Sequence, residues 1–202
     1  LKGIDLLVRP INDGLNVDLQ SGRSFAAKVY RAADATVHID GLGRRVAQNE
    51  EDIFQDRGFQ RGSTFILRSQ AENHWQSLSV GNGIDKNNVQ IYPQEMVAAL
   101  LGLTASSVDD GAVIWGKVTL NGKPVSDAEV EISTDSTRPI YFNSYIPDHR
   151  LNKTSRNGLF AFAGVMPGVQ PVRVKYQNRY ILAHIIPVDK ESVSYMELEI
   201  GY

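Results

Sequence analysis

Apolar and polar residues alternate along much of the chain, and a period of two predicts β-strands. In the first half, alternation or β-branched enrichment marks seven segments, which are separated by turn residues such as Asn12-Asp13-Gly14. These segments are 4–8, 15–19, 25–30, 36–39, 64–67, 75–80 and 89–92. The first half is therefore predicted to be rich in β-strand.

One segment has helical spacing instead. Met96, Val97, Leu100 and Leu101 recur on one face between Pro93, which suits a first helical position, and Gly102, which suits a helix end. We predict a short helix over 93–102. Residues 49–54, which contain several acidic side chains, have a weaker helical pattern.

Small and polar residues dominate 104–111, and nothing in this segment could anchor a core. This predicts a linker at 104–111. It would join a β-rich domain of unknown type at 1–103, ending in the short helix, to a second domain at 112–202.

The second half alternates more regularly. Strands are predicted at 113–120, 128–132, 159–163, 172–176, 180–186 and 193–200, with Asn121-Gly122 and Asn157-Gly158 as turns. Phe160 and Phe162 fall on one strand face, which we expect to enter the core. Short strands spaced about 8–12 residues apart are typical of a β-sandwich.

Four stretches of this half carry a family resemblance. They are Gly116-Lys117-Val118, Asn121-Gly122-Lys123-Pro124-Val125 with Ala128-Glu129-Val130, the run from Thr154 to Phe160, and Pro167-Gly168. In this order they resemble carboxypeptidase regulatory-like domains. The resemblance covers about 112–200 and implies a transthyretin-like (Ig-like) β-sandwich that acts as a structural or binding accessory, mostly in exported proteins.

Composition excludes several function classes. The chain has 202 residues, a net charge of −2 and no cysteine. It therefore lacks the basic field of a nucleic-acid binder, and disulfides, Cys-ligated zinc and thiol nucleophiles are excluded. The longest apolar-rich run, 96–103, is far shorter than the roughly 20 residues of a membrane span. Because the chain begins at Leu1 without a signal-peptide pattern, we interpret it as a mature or excised fragment.

No pattern for catalysis or metal binding stands out. His38, His74, His149 and His184 have no metal-ligand spacing, and no Gly-x-Ser-x-Gly motif is present. Tyr141, Tyr145 and His149 lack the second nearby histidine of an intradiol dioxygenase iron site. The loop 82–88 resembles a calcium loop but has one carboxylate and a lysine, so a hairpin is favoured. We expect no catalytic residues, no metal and no cofactor.

The segment 133–151 is long for a sandwich connection and is our candidate binding surface. Its candidate residues are Tyr141, Phe142, Tyr145 and His149, which would contact a protein partner or a cell-surface glycan. The alternative is that 139–142 forms an extra edge strand whose aromatics cover the core. Trp75 and Trp115 could likewise form sugar platforms, although their strand patterns favour burial.

These observations predict a non-catalytic module, and the resemblance implies an extracytoplasmic one, whether periplasmic, outer-membrane-associated or secreted. It would serve assembly, adhesion or protein binding at a bacterial cell envelope. The alternative is a carbohydrate-binding accessory module of a larger secreted enzyme. A third interpretation, a hydrolase or dioxygenase, would require His149 or His38 to be essential.

Overall fold

The computed structural model describes residues 4–11, 14–21, 36–39, 44–45, 47–48, 53–56, 64–82, 87–104, 111–132, 137–144 and 146–201. The architecture is mainly β, as the sequence predicts, with one helix among the described residues. The chain divides into two compact units, Leu1–Ala98 and Ala99–Tyr202. No helix in the described part of the chain is long and apolar enough to cross a membrane.

Antiparallel strands build the first unit. They are β1 (Ile4–Ile11), β2 (Gly14–Ser21), β3 (Thr36–Ile39), β4 (Arg44–Arg45), β5 (Ala47–Gln48), β6 (Ile53–Asp56), β7 (Thr64–Gln70), β8 (His74–Asn82) and β9 (Asn87–Pro93). One run follows the order β5-β6-β1-β2-β9, a second follows β4-β3-β7-β8, and the antiparallel pairing of β8 with β9 joins the two runs. Six of the seven predicted strands are confirmed, and 25–30 lies outside the described residues.

The helical pattern predicted at 49–54 is wrong where the structure describes it. Ile53–Asp56 is strand β6, and it pairs antiparallel with Ile4–Leu7 of β1. The physical reason is long-range pairing, because a partner strand satisfies the backbone groups that an isolated helical turn would have satisfied locally.

The predicted helix is confirmed as α1 (Gln94–Leu103). Val97, Leu100 and Leu101 are buried on one face, in agreement with the helical spacing. The ends differ slightly from expectation, since Pro93 is the last residue of β9 and the helix continues past Gly102. Thr104 ends it: the backbone N–H and the hydroxyl of Thr104 both donate to the Leu101 carbonyl, at 3.1 and 3.0 Å.

Two sheets form the second unit. Its strands are β10 (Val113–Leu120), β11 (Lys123–Pro124), β12 (Glu129–Ile132), β13 (Ile140–Asn143), β14 (Ile146–Pro147), β15 (Leu159–Ala163), β16 (Gly168–Tyr176), β17 (Arg179–Val188) and β18 (Ser192–Glu199). The first sheet runs β14-β13-β15-β10-β18, with β10 and β18 parallel and β11 paired with β10. The second runs β12-β16-β17. All six strands predicted in this half are confirmed.

The core lies between these two sheets. Phe160 and Phe162 are both buried in it, as their spacing predicts, and their rings meet edge to face with centroids 6.0 Å apart. Val130 and Ile132 from β12 and Val172 and Val174 from β16 supply the opposite side. The alternating positions of each strand thus fill one sandwich interior.

Glycines are required at two turns. Asn121 (φ 52°) and Gly122 (φ 70°) close the β10–β11 hairpin, as expected of an Asn-Gly type I′ turn. Gly158 has φ 68°, and a Cβ there would lie 2.4 Å from the Val118 carbonyl oxygen, so the backbone itself excludes a side chain. Both turns belong to the stretches that carry the family resemblance.

The boundary between the compact units falls inside α1, at Ala98/Ala99, rather than after the helix. The last helical turn belongs to the second unit, and its residue Leu103 lines a groove with residues of that unit. Residues 105–110 of the predicted linker lie outside the described residues. The domain bounds 1–103 and 112–202 stay a prediction.

Candidate functional site

A groove of about 630 Å³ opens beside the segment that the sequence singled out. Its apolar wall is formed by Leu103, Pro139, Ile140, Pro147 and Leu151. Its polar rim includes Thr137, Arg138, Asp148 and His149. The volume is within the range of about 300–1,000 Å³ that small ligands occupy. Two of the four candidate residues, Tyr141 and His149, line this groove.

The expectation that Tyr141 and Phe142 are exposed is wrong. Only 2% of Tyr141 and 1% of Phe142 is accessible. They lie in β13, which pairs with β15, so Tyr141 joins the sandwich core and Phe142 packs on the opposite sheet face against Trp115, with ring centroids 4.8 Å apart. The alternative of an extra strand whose aromatics cover the core therefore describes 140–143.

Burial changes the chemistry of Tyr141. Its hydroxyl accepts a 2.9 Å hydrogen bond from the Val130 backbone N–H. Desolvation raises the pKa of the phenol to about 12, so the ring stays neutral over the physiological range. Tyr141 is consequently a structural side chain that contributes part of the groove floor.

Of the remaining candidates, His149 is exposed at the groove rim. Tyr145 lies outside the described residues. The geometry therefore leaves His149 as the one accessible member of the predicted set within the described part of the chain.

The charges at the rim are unevenly paired. Arg150 donates from Nε and from a terminal nitrogen to the two carboxylate oxygens of Asp148, each at 2.9 Å. This fork lowers the pKa of Asp148 to about 2. Arg138 is exposed and has no ion pair or hydrogen bond with any described residue. The groove therefore keeps one uncompensated guanidinium, which no sequence motif marks.

A second surface lies on the outer face of the three-stranded sheet. The register places Val169 beside Pro187 and Pro171 beside Ile185, all on the face away from the core. Val169 is 66% exposed and Ile185 is 61% exposed. We call these four residues the outer patch. Exposed apolar groups on a rigid sheet are typical of an interaction surface.

The neighbouring part of that face is charged and internally paired. Arg173 forms an ion pair with Glu131 at 3.3 Å, and the Tyr180 hydroxyl donates to the same carboxylate. Glu129 is bound by Lys153 at 3.0 Å and by Lys175 at 3.3 Å, and the bond from Lys153 is the main cause that lowers its pKa. These ion pairs keep the net charge of the face low. The outer patch is therefore an apolar area beside a charged but neutralised one.

β17 is the end strand of this sheet. Over its ten residues it pairs with β16 on one side, and no other described strand pairs with it. Its second edge therefore offers backbone donors and acceptors next to the outer patch. Sequence alternation predicts the strand but cannot show that it ends a sheet.

The other candidates take structural positions. His38 and His184 are strand residues, as expected, and Nδ1 of His74 lies 2.6 Å from the Glu72 carbonyl oxygen. Trp75 is buried and Trp115 is half-buried. Glycan binding by either tryptophan stays a prediction. Among the described residues no three His, Asp or Glu side chains are grouped so that they could hold a metal ion.

The fold was also compared with solved structures. No protein-family model matches the sequence, and no curated protein matches it. The crystal structure of BcpA, the major pilin subunit of Bacillus cereus, is similar over 98% of this chain and 70% of its own, with 11% sequence identity and a TM-score of 0.28. Likeness at this level assigns no function to the chain.

Proposed function

We propose that this chain is a non-catalytic protein-binding module that serves assembly or adhesion at a bacterial cell envelope, outside the cytoplasm. The observation that carries the proposal is the outer patch beside the free edge of β17. Isolated exposed apolar residues are ordinary on protein surfaces, but here two exposed branched residues and two prolines lie together by strand register.

We further propose that residues 112–200 form a carboxypeptidase regulatory-like domain. The two-sheet arrangement, the Asn121-Gly122 turn and the close backbone approach at Gly158 support this assignment. Thr154 supports it as well, since its hydroxyl donates to the Val125 carbonyl and accepts from the Ala128 N–H. We propose the extracytoplasmic compartment because domains of this family occur mostly in exported proteins.

The binding mode we propose is strand addition. An extended segment of a partner protein would pair with the free edge of β17 and lay alternate side chains across the outer patch. Main-chain hydrogen bonds would supply affinity, and Ile185 and Val169 would supply apolar contacts. Pro187 removes one backbone donor near the end of the strand, which restricts pairing to the central part.

The charge on β17 restricts which partner segments could pair with it. Arg179 is the one residue of β17 that is charged at neutral pH, and the strand has no acidic residue. A partner segment with apolar residues and one carboxylate opposite Arg179 would complement it. Pairing with a second copy of β17 would supply no such carboxylate.

Retention on an isolated bacterial cell-envelope fraction tests the proposal. We expect Ile185→Lys to lower retention of the chain more than about tenfold, because a charge is placed in the apolar contact. Ile146→Lys is the matched control, since Ile146 is 72% exposed but lies on β14 of the other sheet. Backbone amides of β17 should also gain protection from hydrogen exchange in the bound sample.

Three outcomes would contradict the proposal. They are equal retention of the Ile185 variant and the wild type, unchanged exchange at β17, and retention on polysaccharide beads that Ile185→Lys does not alter. The last result would support the carbohydrate-binding alternative. Concentration-dependent dimerisation abolished by Ile185→Lys would identify a second copy as the partner instead.

A further inference from the structure

The groove beside β13 has a different chemistry from the outer patch. Its wall combines two prolines with Leu103, Ile140 and Leu151, and its rim adds polar side chains, among them Thr104 and Thr137. The apolar wall suits the side chains of an extended peptide, whereas a sugar ring would stack on an open aromatic face. Tyr141 cannot provide that face, since its ring is buried.

The rim adds one positive charge that no described residue neutralises. Asp148 is the one acidic residue among the described residues of the lining, and Arg150 already binds both of its oxygens. Arg138 therefore faces the groove as a free guanidinium, whose planar fork matches a carboxylate. His149, also on the rim, has no negative charge to offer a ligand cation.

A single guanidinium beside an apolar wall matches one carboxylate on an apolar ligand. A phosphate group would be expected to need more donors, such as further cations or a glycine-rich turn. We infer that the groove binds an acidic peptide, an extended segment with apolar side chains against Ile140 and Leu151 and one Asp or Glu side chain on Arg138. This site deepens the proposed protein-binding function but uses different residues from the β17 edge.

Binding of a defined peptide tests the inference. The probe is a fluorescein-labelled hexapeptide, amidated at its C-terminus, with one glutamate among leucine and valine residues. Fluorescence anisotropy with the full 202-residue chain should show binding about tenfold or more tighter than for the same peptide with glutamine. Arg138→Gln should abolish that preference, and Arg138→Lys should keep part of it because charge is retained and the fork is lost.

The control variant is Arg156→Gln, which removes an exposed arginine outside the groove lining and should leave binding unchanged. Ile185→Lys should also leave peptide binding to the groove unchanged. A failure of the groove inference can therefore be told apart from a failure of strand addition at β17. Equal binding of the two peptides, loss of preference in the Arg156 variant, or no binding of the glutamate peptide would overturn the inference. So would tighter binding of a glutamine peptide with a free C-terminal carboxylate, which would identify a chain terminus as the ligand.

Discussion

The hydroxyl of Tyr141 accepts a hydrogen bond from the backbone N–H of Val130 at 2.9 Å, and this bond joins the two sheets of the sandwich. Tyr141 lies in β13 of the first sheet, and Val130 lies in β12 of the three-stranded second sheet. β12 pairs with β16 only in the described part of the chain, so this side chain satisfies a donor on its other side.

Tyr141→Phe should destabilise the fold by about 1–3 kcal/mol, because it leaves the buried Val130 N–H without an acceptor. Chemical denaturation at pH 7 measures this. Tyr180→Phe is the control, since the Tyr180 hydroxyl bonds to Glu131 on an exposed face, and it should cost less. Equal losses would mean that water reaches Val130.

The raised pKa of Tyr141 predicts that the free energy of unfolding falls at alkaline pH. Its pKa is about 12 in the folded chain and about 10 when unfolded, so the folded state holds the proton more tightly. Its contribution is therefore complete below pH 10 and is lost as the pH rises toward 12. Denaturation between pH 8 and 11.5 should show a fall that is smaller in Tyr141→Phe.

Glu199 gives stability the opposite pH dependence, because its contribution is lost in acid. The Thr119 hydroxyl donates to its carboxylate at 2.6 Å and the Gly122 N–H donates at 3.2 Å, which lowers the pKa of Glu199 below its ordinary value. A carboxylate whose pKa is lower in the folded chain than in the unfolded chain stabilises the fold at any pH above its unfolded pKa. This stabilisation is lost as the pH falls through the pKa of the folded state. We expect Glu199→Gln to cost about 1 kcal/mol at pH 7, after allowing for solvent screening, and little near pH 3. Glu191→Gln, at an exposed position, is the control variant in the same assay.

Two glycine variants separate backbone strain from crowding. Gly122 and Gly158 have nearly equal φ values, of 70° and 68°, but a Cβ meets nothing at Gly122 and meets the Val118 carbonyl at Gly158. Gly122→Ala should cost about 1–2 kcal/mol from the left-handed conformation alone. Gly158→Ala should cost clearly more in the same denaturation assay. Similar losses would show that the Gly158 turn moves freely.

Truncation of the core phenylalanines provides a larger effect. Phe160→Ala and Phe162→Ala should each cost about 3–5 kcal/mol, since both rings are fully buried between the sheets. Phe160 also lies against Gly116, where a Cβ would be 2.3 Å from its ring. A loss under about 1 kcal/mol at both positions would contradict the packing described for β15.

The sequence predicts strands where one face is polar and fails where long-range pairing decides. Glu129 and Glu131 alternate with buried Val130 and Ile132, so β12 is evident from its pattern. Ile140–Asn143 shows no alternation because both faces are covered, one by the core and one by Trp115. Its interpretation as a strand depends on β15, which is distant in the sequence.

The candidate site was predictable in place but not in chemistry. The segment 133–151 contributes to the groove, yet its residues Tyr141 and Phe142 are buried in the sandwich. Arg138 gains its significance because Arg150 neutralises Asp148, a pairing that composition cannot reveal. Likewise the alternation of side chains along β16 predicts that Val169 points outward. Only the register with β17 shows that it lies beside Pro187.

The parallel pairing of β10 with β18 has a mechanical consequence. Seven register pairs, from Val113–Val193 to Thr119–Glu199, join the first and last strands of the second unit side by side. Tension applied between Val113 and Glu199 would pull the two strands lengthwise past one another, because those residues lie at opposite ends of the pair. Every hydrogen bond of the pair would then share the load together, whereas peeling a hairpin such as β16–β17 breaks its bonds one after another. The second unit is thus built to resist stretching along β10.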